Sequence, residues 1–347
     1  MRLLVDEVNP GAPPLHLRGR MARDMEHQVE EIAPDVARLR IGFVNCFFVG
    51  RRRSTYDTTT TTAPWALIDA AISPGAARIL EVAAERFGDE ARPTAIILTH
   101  GHFDHTGALE ALLGIWDVPV YAHPLELPFL TGRADYPPPD PTVGKRGVMA
   151  RLSGLFPDSG IDIRDRVREL PSNGSVPGMP GWRWVHTPGH TPGHVSFFRS
   201  TDRVLIAGDA VTTTRQESMY AVATQKPELN GPPAYFTIDW DASHRSVATL
   251  ASLQPAVVAT GHGPTMRGDD MPRRLSELSR DFDTRVRPRR GRYVREPAIT
   301  NEDGVVYVPP PTRTGLPWGT VSGVAAAAVA GTWLVRRFGR RAKEPIS

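Results

Sequence analysis

Cysteine is almost absent: Cys46 is the only one among 347 residues. A single thiol allows no disulfide within the chain and no thiolate metal cluster. It lies in the strand-like run from Phe43 to Val49 and reads as a buried structural thiol. The first residues, Met1 to Glu7, lack the long apolar core of a secretory signal, which makes a cytoplasmic location the default. No Gly-x-Ser-x-Gly elbow occurs, so no serine nucleophile is suggested. Internal repeats are missing as well, which excludes a solenoid. With 40% apolar and 23% charged residues, the composition is that of a soluble globular protein and not of a disordered one.

The two signs of charge nearly cancel. The net charge is +3, and its excess sits at one end. Arg336, Arg337, Arg340, Arg341 and Lys343 crowd the C-terminus against Glu344 alone, so the rest of the chain is close to neutral. A second basic run, Arg285 to Arg295, is broken by proline and glycine. Neither run is interleaved with aromatic residues. Both read as solvated surface, and nucleic acid is not an expected partner.

Histidine, by contrast, is concentrated. Thr99-His-Gly-His-Phe-Asp-His105 packs three imidazoles and a carboxylate into one short loop. An apolar, β-branched run from Thr94 leads in, and a helix-like run from Thr106 leads out. The cluster should therefore sit at the carboxyl end of a strand, where α/β sheets place ligand sites. A lone histidine is usually a satisfied structural residue. Four ligand-type residues within six positions make metal binding the better reading, with zinc ahead of iron or manganese.

The same grammar recurs along the chain. Trp65 to Asp69 is a buried-strand pattern ending on an acid. Trp182 to His186 runs into the turn-rich Thr187-Pro-Gly-His190-Thr-Pro-Gly-His194. Arg203 to Asp209 and Ala256 to His262 each run from an apolar strand through glycine to a ligand-type residue. Amphipathic helices are expected near 76–86, 106–115 and 241–253. The alternation of strands and helices is an α/β pattern. Between about 124 and 180 it breaks, with Pro137-Pro-Pro-Asp-Pro141 and a short amphipathic piece from Val148. That stretch is too long for a connector and reads as an insertion over or beside the site.

This set of residues resembles the metallo-β-lactamase superfamily, its glyoxalase II and lactonase-like branch in particular. The match runs through His100-x-His102-x-Asp104-His105, His190 in Thr-Pro-Gly-His, Asp209 in Ala-Gly-Asp and His262 in Gly-His-Gly, from about 38 to 265. The resemblance implies an αββα sandwich with metals at one edge. Carried over, His100, His102 and His190 would hold one ion. Asp104, His105 and His262 would hold a second, and Asp209 would bridge them. Asp104 and Asp209 become the catalytic carboxylates, and Asp69 and His194 become supports for the ligands. Two divalent ions can acidify a shared water, and the resulting bound hydroxide would cleave a small ester, thioester or lactone. An alternative on the same fold is a single-iron oxidoreductase of the persulfide dioxygenase type.

Departures from the family are few. The acid matching Asp69 usually continues Thr-Gly, whereas Ala70-Ala71 follow here. That puts the local loop geometry in question and leaves the ligands alone. No flavin domain and no inserted nuclease domain are apparent.

Four segments follow from these readings. Residues 1–35 form an irregular N-terminal segment. The catalytic domain spans 36–270 with its insertion at about 124–180. A C-terminal extension covers 271–315, and an apolar helix with a basic tail covers 316–347. The run from Leu316 to Val335 carries no charge, and Trp318 and Trp333 stand near its ends. Its alanines and glycines give little drive to span a bilayer. It reads as a helix packed on the domain or on a partner, or lying against anionic lipid through its arginines.

Overall fold

A computed structural model describes residues 29–53, 63–143 and 148–312. Most of the segment read as 1–35 and the whole of the tail read as 316–347 lie outside the described residues. Among the described residues, no helix is long and apolar enough to cross a membrane.

Two mixed sheets form the centre. The first runs in the order β1 (Val29–Ala33), β2 (Val36–Ile41), β3 (Val44–Val49), β4 (Ala66–Ile68), β5 (Ala95–Ile97), β6 (Val120–Ala122) and β7 (Val167–Glu169). Its first four strands pair antiparallel and its last four parallel. The second contains β8 (Trp182–His186), β9 (Val195–Arg199), β10 (Val204–Ile206), β11 (Val257–Ala259) and β12 (Met266–Arg267), adjacent in that order.

Side-chain alternation builds the buried layers. In β3, Cys46 and Phe48 face outward, while Phe47 and Val49 face the other sheet. β4 and β5 repeat this: Leu67 and Ile96 join Phe48, and Ile68 and Ile97 join Phe47. A strand sends alternate residues to opposite faces, so these apolar runs are buried on both sides. The facing sheet contributes Val195, Phe197 and Ile206 to the shared layer.

Helices cover the outer faces. Ala76–Phe87 buries Ile79, Val82, Ala83, Arg86 and Phe87, the stripe of an amphipathic helix, and ends at Gly88 with φ 106°. Trp240–Ser252 starts on Asp239, whose carboxylate accepts from the Ala242 N–H at 2.9 Å. The expected αββα sandwich is what forms.

Three boundaries differ from the sequence reading. The segment 1–35 is not irregular throughout, because β1 pairs with β2 across a bulge between Glu31 and Ala33. Its two glutamates hid it: Glu30 pairs with Arg38 and Arg267, and Glu31 with Arg86, so the strand shows no apolar period. Position 270 is no packing boundary either. Met271, Leu275 and Leu278 repeat at helical spacing and enter the core outside the second sheet with Phe282 and Tyr293. The insertion is shorter than 124–180, since β7 within it extends the first sheet.

Candidate metal centre

The ligand-type residues gather at one edge of the sandwich. His100, His102, Asp104 and His105 follow β5, and His190 precedes β9. Asp209 follows β10, and His262 follows β11. All seven are buried. They fall into groups whose ligand atoms lie within 4.8 Å of one another: His100, His102 and His190; His100, His105 and Asp209; Asp104, His105 and His262.

Distances within the first group are short. His102 Nδ1 is 3.0 Å from His100 Nε2 and 3.0 Å from His190 Nε2. A tetrahedral ion with bonds of about 2.0–2.1 Å holds its ligand atoms roughly 3.3 Å apart. Asp209 Oδ2 reaches both groups, at 3.6 Å from His190 Nε2, 3.1 Å from His262 Nε2 and 3.7 Å from His105 Nε2. Asp104 Oδ2 is 3.4 Å from His262 Nε2.

Outer hydrogen bonds orient the rings. Thr99 donates its hydroxyl to Asp69 Oδ2, so the His100 Nδ1–H donates to Thr99 Oγ1 at 3.0 Å. His105 Nδ1–H donates to Asp69 Oδ2 at 2.8 Å, and His262 Nδ1–H donates to the Phe43 carbonyl at 2.9 Å. These partners assign the tautomers, and each leaves an Nε2 lone pair aimed inward. His105 Nε2 and Asp209 Oδ1 are buried without a hydrogen-bond partner. Buried polar atoms are normally satisfied, and the ligand atoms of a metal site are left unpaired in the protein alone, which fits these two orphans. The donor set fits divalent ions.

Electrostatics separate the two groups. Burial, reinforced by neighbouring imidazoles, holds His100 and His190 well below the ordinary histidine range and His102 at about 3. They stay neutral, the form that ligates metal. Burial also opposes charge on His105 and His262. For His105 the carboxylates of Asp69, Asp209 and Asp104 outweigh it, and for His262 those of Asp209 and Asp104, so both are raised.

Backbone geometry permits the close approach. A Cβ on Gly261 would lie 2.2 Å from Asp209 Oδ1, and one on Gly208 would lie 2.6 Å from His194 Nε2. Asp69 and Ala71 both have positive φ, 59° and 50°. Ala71 thus takes a left-handed conformation where the resemblance has Gly, and Asp69 accepts from the Thr99 N–H and hydroxyl and from His105 Nδ1, each at 2.8 Å.

The supporting residues fall into place. His194 Nε2 accepts from the Asp209 N–H at 2.8 Å, so it positions the Asp209 backbone. His123 caps a turn by accepting from the Leu125 N–H and stacks on His186, apart from the ligands. His244 stacks on Phe282. Tyr235 lines the cavity above the ligands, whereas Trp240 belongs to the core and Tyr220 and Lys226 are exposed.

Sequence reasoning missed Glu126. Its fully buried carboxylate accepts from the Gly101 N–H at 3.0 Å, Thr191 Oγ1 at 2.7 Å, the Gly193 N–H at 2.8 Å and the Tyr136 hydroxyl. It joins the loop carrying His100 and His102 to the loop carrying His190. Its partners are remote in sequence, and Pro124-Leu-Glu-Leu-Pro128 carries no local signal. The aromatic cover was missed too: Phe103, Phe156 and Phe236 line the cavity with the ligands.

Comparison with known proteins agrees with this geometry. The family model described as the metallo-beta-lactamase superfamily matches residues 39–262. A probable metallo-hydrolase of Bacillus subtilis, YflN, is 47% identical over 249 residues, which is 72% of this chain and 91% of the relative. A second, YybB of the same organism, is 28% identical over 53% of this chain and 74% of its own length. Among solved structures, an archaeal superfamily protein from Sulfolobus tokodaii aligns with a TM-score of 0.49 at 19% identity, covering 74% of this chain and 90% of that one. The chain belongs to the metallo-beta-lactamase superfamily. At that level it is a metal-binding hydrolase.

Proposed function

We propose that the protein is a two-metal hydrolase of small acyl compounds, cleaving an ester, thioester or lactone. The observation that carries this reading is the position of Asp209 Oδ2, within 3.7 Å of imidazole nitrogens from both ligand groups. His100, His102 and His190 would hold one ion, Asp104, His105 and His262 the other, and Asp209 would join them. Divalent ions bound there supply Lewis acidity, lowering the pKa of water and offsetting charge on the acyl oxygen. The chain's own part is to hold the ligands neutral or ionised as required and to fix their rings. Asp69, Thr99 and the Phe43 carbonyl do so for three histidines. His194 holds the Asp209 backbone, and Phe236, 4.7 Å from the His102 ring, shields the ligands from water.

Small acyl molecules are the proposed partners, and nucleic acid is not. A phosphate backbone needs many cationic contacts, whereas the chain before its tail is near neutral. Zinc is the first choice of ion, with iron or manganese next. A cytoplasmic location, and contact of the tail's arginines with anionic lipid, belong to the same proposal. The single-iron oxidoreductase would need only one of the two groups. The test is turnover of a panel of esters, thioesters and lactones by zinc-, iron- or manganese-loaded protein. Metal-dependent cleavage of at least one class is expected. Oxygen consumption with a persulfide and no cleavage of any acyl compound would refute the reading.

A further inference from the structure

His262 stands between two glycines, so its immediate neighbours offer no side chain to hold it. Gly261 must stay bare, because a Cβ there would lie 2.2 Å from Asp209 Oδ1. The loop is held instead from the facing sheet. Alternation along β2 and β3 sends Val36 and Phe47 into the layer between the sheets, and Arg38 and Asn45 point there with them. Both are buried. Asn45 Nδ2 donates to the carbonyls of Thr260 and Gly263, each at 2.8 Å. The Asn45 backbone N–H donates to the Gly261 carbonyl at 2.8 Å. Arg38 Nη1 donates to the Gly263 carbonyl at 2.9 Å and to Asn45 Oδ1 at 3.0 Å. The His262 carbonyl accepts from the Thr260 hydroxyl at 2.7 Å and the Thr213 N–H at 3.1 Å. Every carbonyl from 260 to 263 is thus occupied.

Burying a guanidinium and an amide is costly unless their bonds are made. Here those bonds converge on one loop, distant in sequence. Arg38 is itself held by Glu30 at 2.9 Å, and Glu30 by Arg267 at 2.9 Å, so this chain of contacts links the two sheets. The other ligand loops are held in the opposite sense. Asp69 and Glu126 accept from N–H groups there, whereas Arg38 and Asn45 donate to carbonyls. With its loop fixed, the His262 ring stacks on Phe43 at 5.9 Å, and its Nε2 lies 3.1 Å from Asp209 and 3.4 Å from Asp104. We infer that Arg38 and Asn45 are positioning residues for His262, fixing its loop and so setting the affinity of the ion position it serves, and of that position alone. This rests on the two-ion reading for the ligand role of His262. The hold on the loop is measured without metal.

The experiment starts with the metal-free, full-length protein carrying isotope-labelled histidine. Solvent exchange of the ring Nδ1–H protons of His100, His105 and His262 is read by nuclear magnetic resonance and reports local opening. Asn45→Ala should speed exchange at His262 by about tenfold or more and leave the other two within about twofold, since Thr99 and Asp69 still hold them. Arg38→Met keeps the length and loses the donors. It should act in the same direction but less, because both Asn45 side-chain bonds to the loop remain, and it carries the test should Asn45→Ala fail to fold. A two-step cobalt titration follows, in which Asp104→Ala marks the step of the second group. Asn45→Ala should weaken that step about 10–100-fold, the usual effect of removing an outer partner, and leave the other step unchanged. General loosening would speed all three protons alike or weaken both steps, and either result overturns the inference. So does unchanged exchange at His262, or a marked step that neither substitution moves. A single cobalt step in the unaltered protein removes the two-ion reading and leaves the exchange rates to decide whether Arg38 and Asn45 position His262.

Discussion

His100, His102 and His190 are held differently from Asp104, His105 and His262, although the two groups touch. The first group is all imidazole, kept neutral by burial. Its loops are tied together by one distant carboxylate, Glu126. The second contains its own carboxylate, and Asp69 grips His105 directly. Apart from the shared Asp209, a dication in the first group would have only neutral imidazoles around it, whereas Asp104 would offset one further unit of charge at the other position. In the proposed two-metal site, the first position would be the better place to polarise an acyl oxygen, and the second would suit a harder ion. In that proposal Asp209 is the residue that would join the two groups.

Asp209→Ala should have the largest effect because it removes what the groups share. Both ions should be lost or bound far more weakly, with hydrolysis at background, while the far-ultraviolet circular dichroism persists. Retention of two tightly held ions would break the comparison. Next come Asp69→Ala and Glu126→Ala. Asp69 holds His105 directly and His100 through Thr99, so its loss should weaken both positions, whereas Glu126 ties only the loops of the all-imidazole group. Each affected position should lose about 10–100-fold in affinity, the usual effect of removing an outer partner. A two-step cobalt titration should show both steps weakened by Asp69→Ala and one step weakened by Glu126→Ala. Two steps weakened equally by Glu126→Ala would erase the distinction.

Ala71→Gly should do least. Relief of a left-handed alanine is worth about 1–2 kcal/mol, against about 0.5–1 kcal/mol of backbone entropy and about 0.8 kcal/mol for a buried methyl. The balance is near zero, so urea unfolding should shift by no more than about 0.5 kcal/mol, with metal content unchanged. A loss of metal would show that the turn after Asp69 depends on that methyl.

The same contrast explains what the sequence makes legible. Six of the seven ligand-type residues stand next to glycine or threonine in the segments after strands, and Asp104 stands among them, so local pattern alone singles them out, and the structure brings all seven together. Strands β2 to β6 show in apolar runs. β1 does not, because Glu30 and Glu31 hold it by ion pairs with residues distant in sequence. Glu126 is hidden for a related reason: its donors at 101, 136, 191 and 193 converge only once the sheets face each other. The helix Met271–Arg280 reads as an appendage until the outer face it covers is known. Ligand chemistry is local, whereas the scaffold that orients it is not.

Metal stoichiometry of the intact chain tests the central claim most directly. Elemental analysis after reconstitution with zinc, iron or manganese, followed by removal of loose ions, should give two ions per chain for at least one of them. One ion per chain under every condition, or none, would contradict a site joined through Asp209.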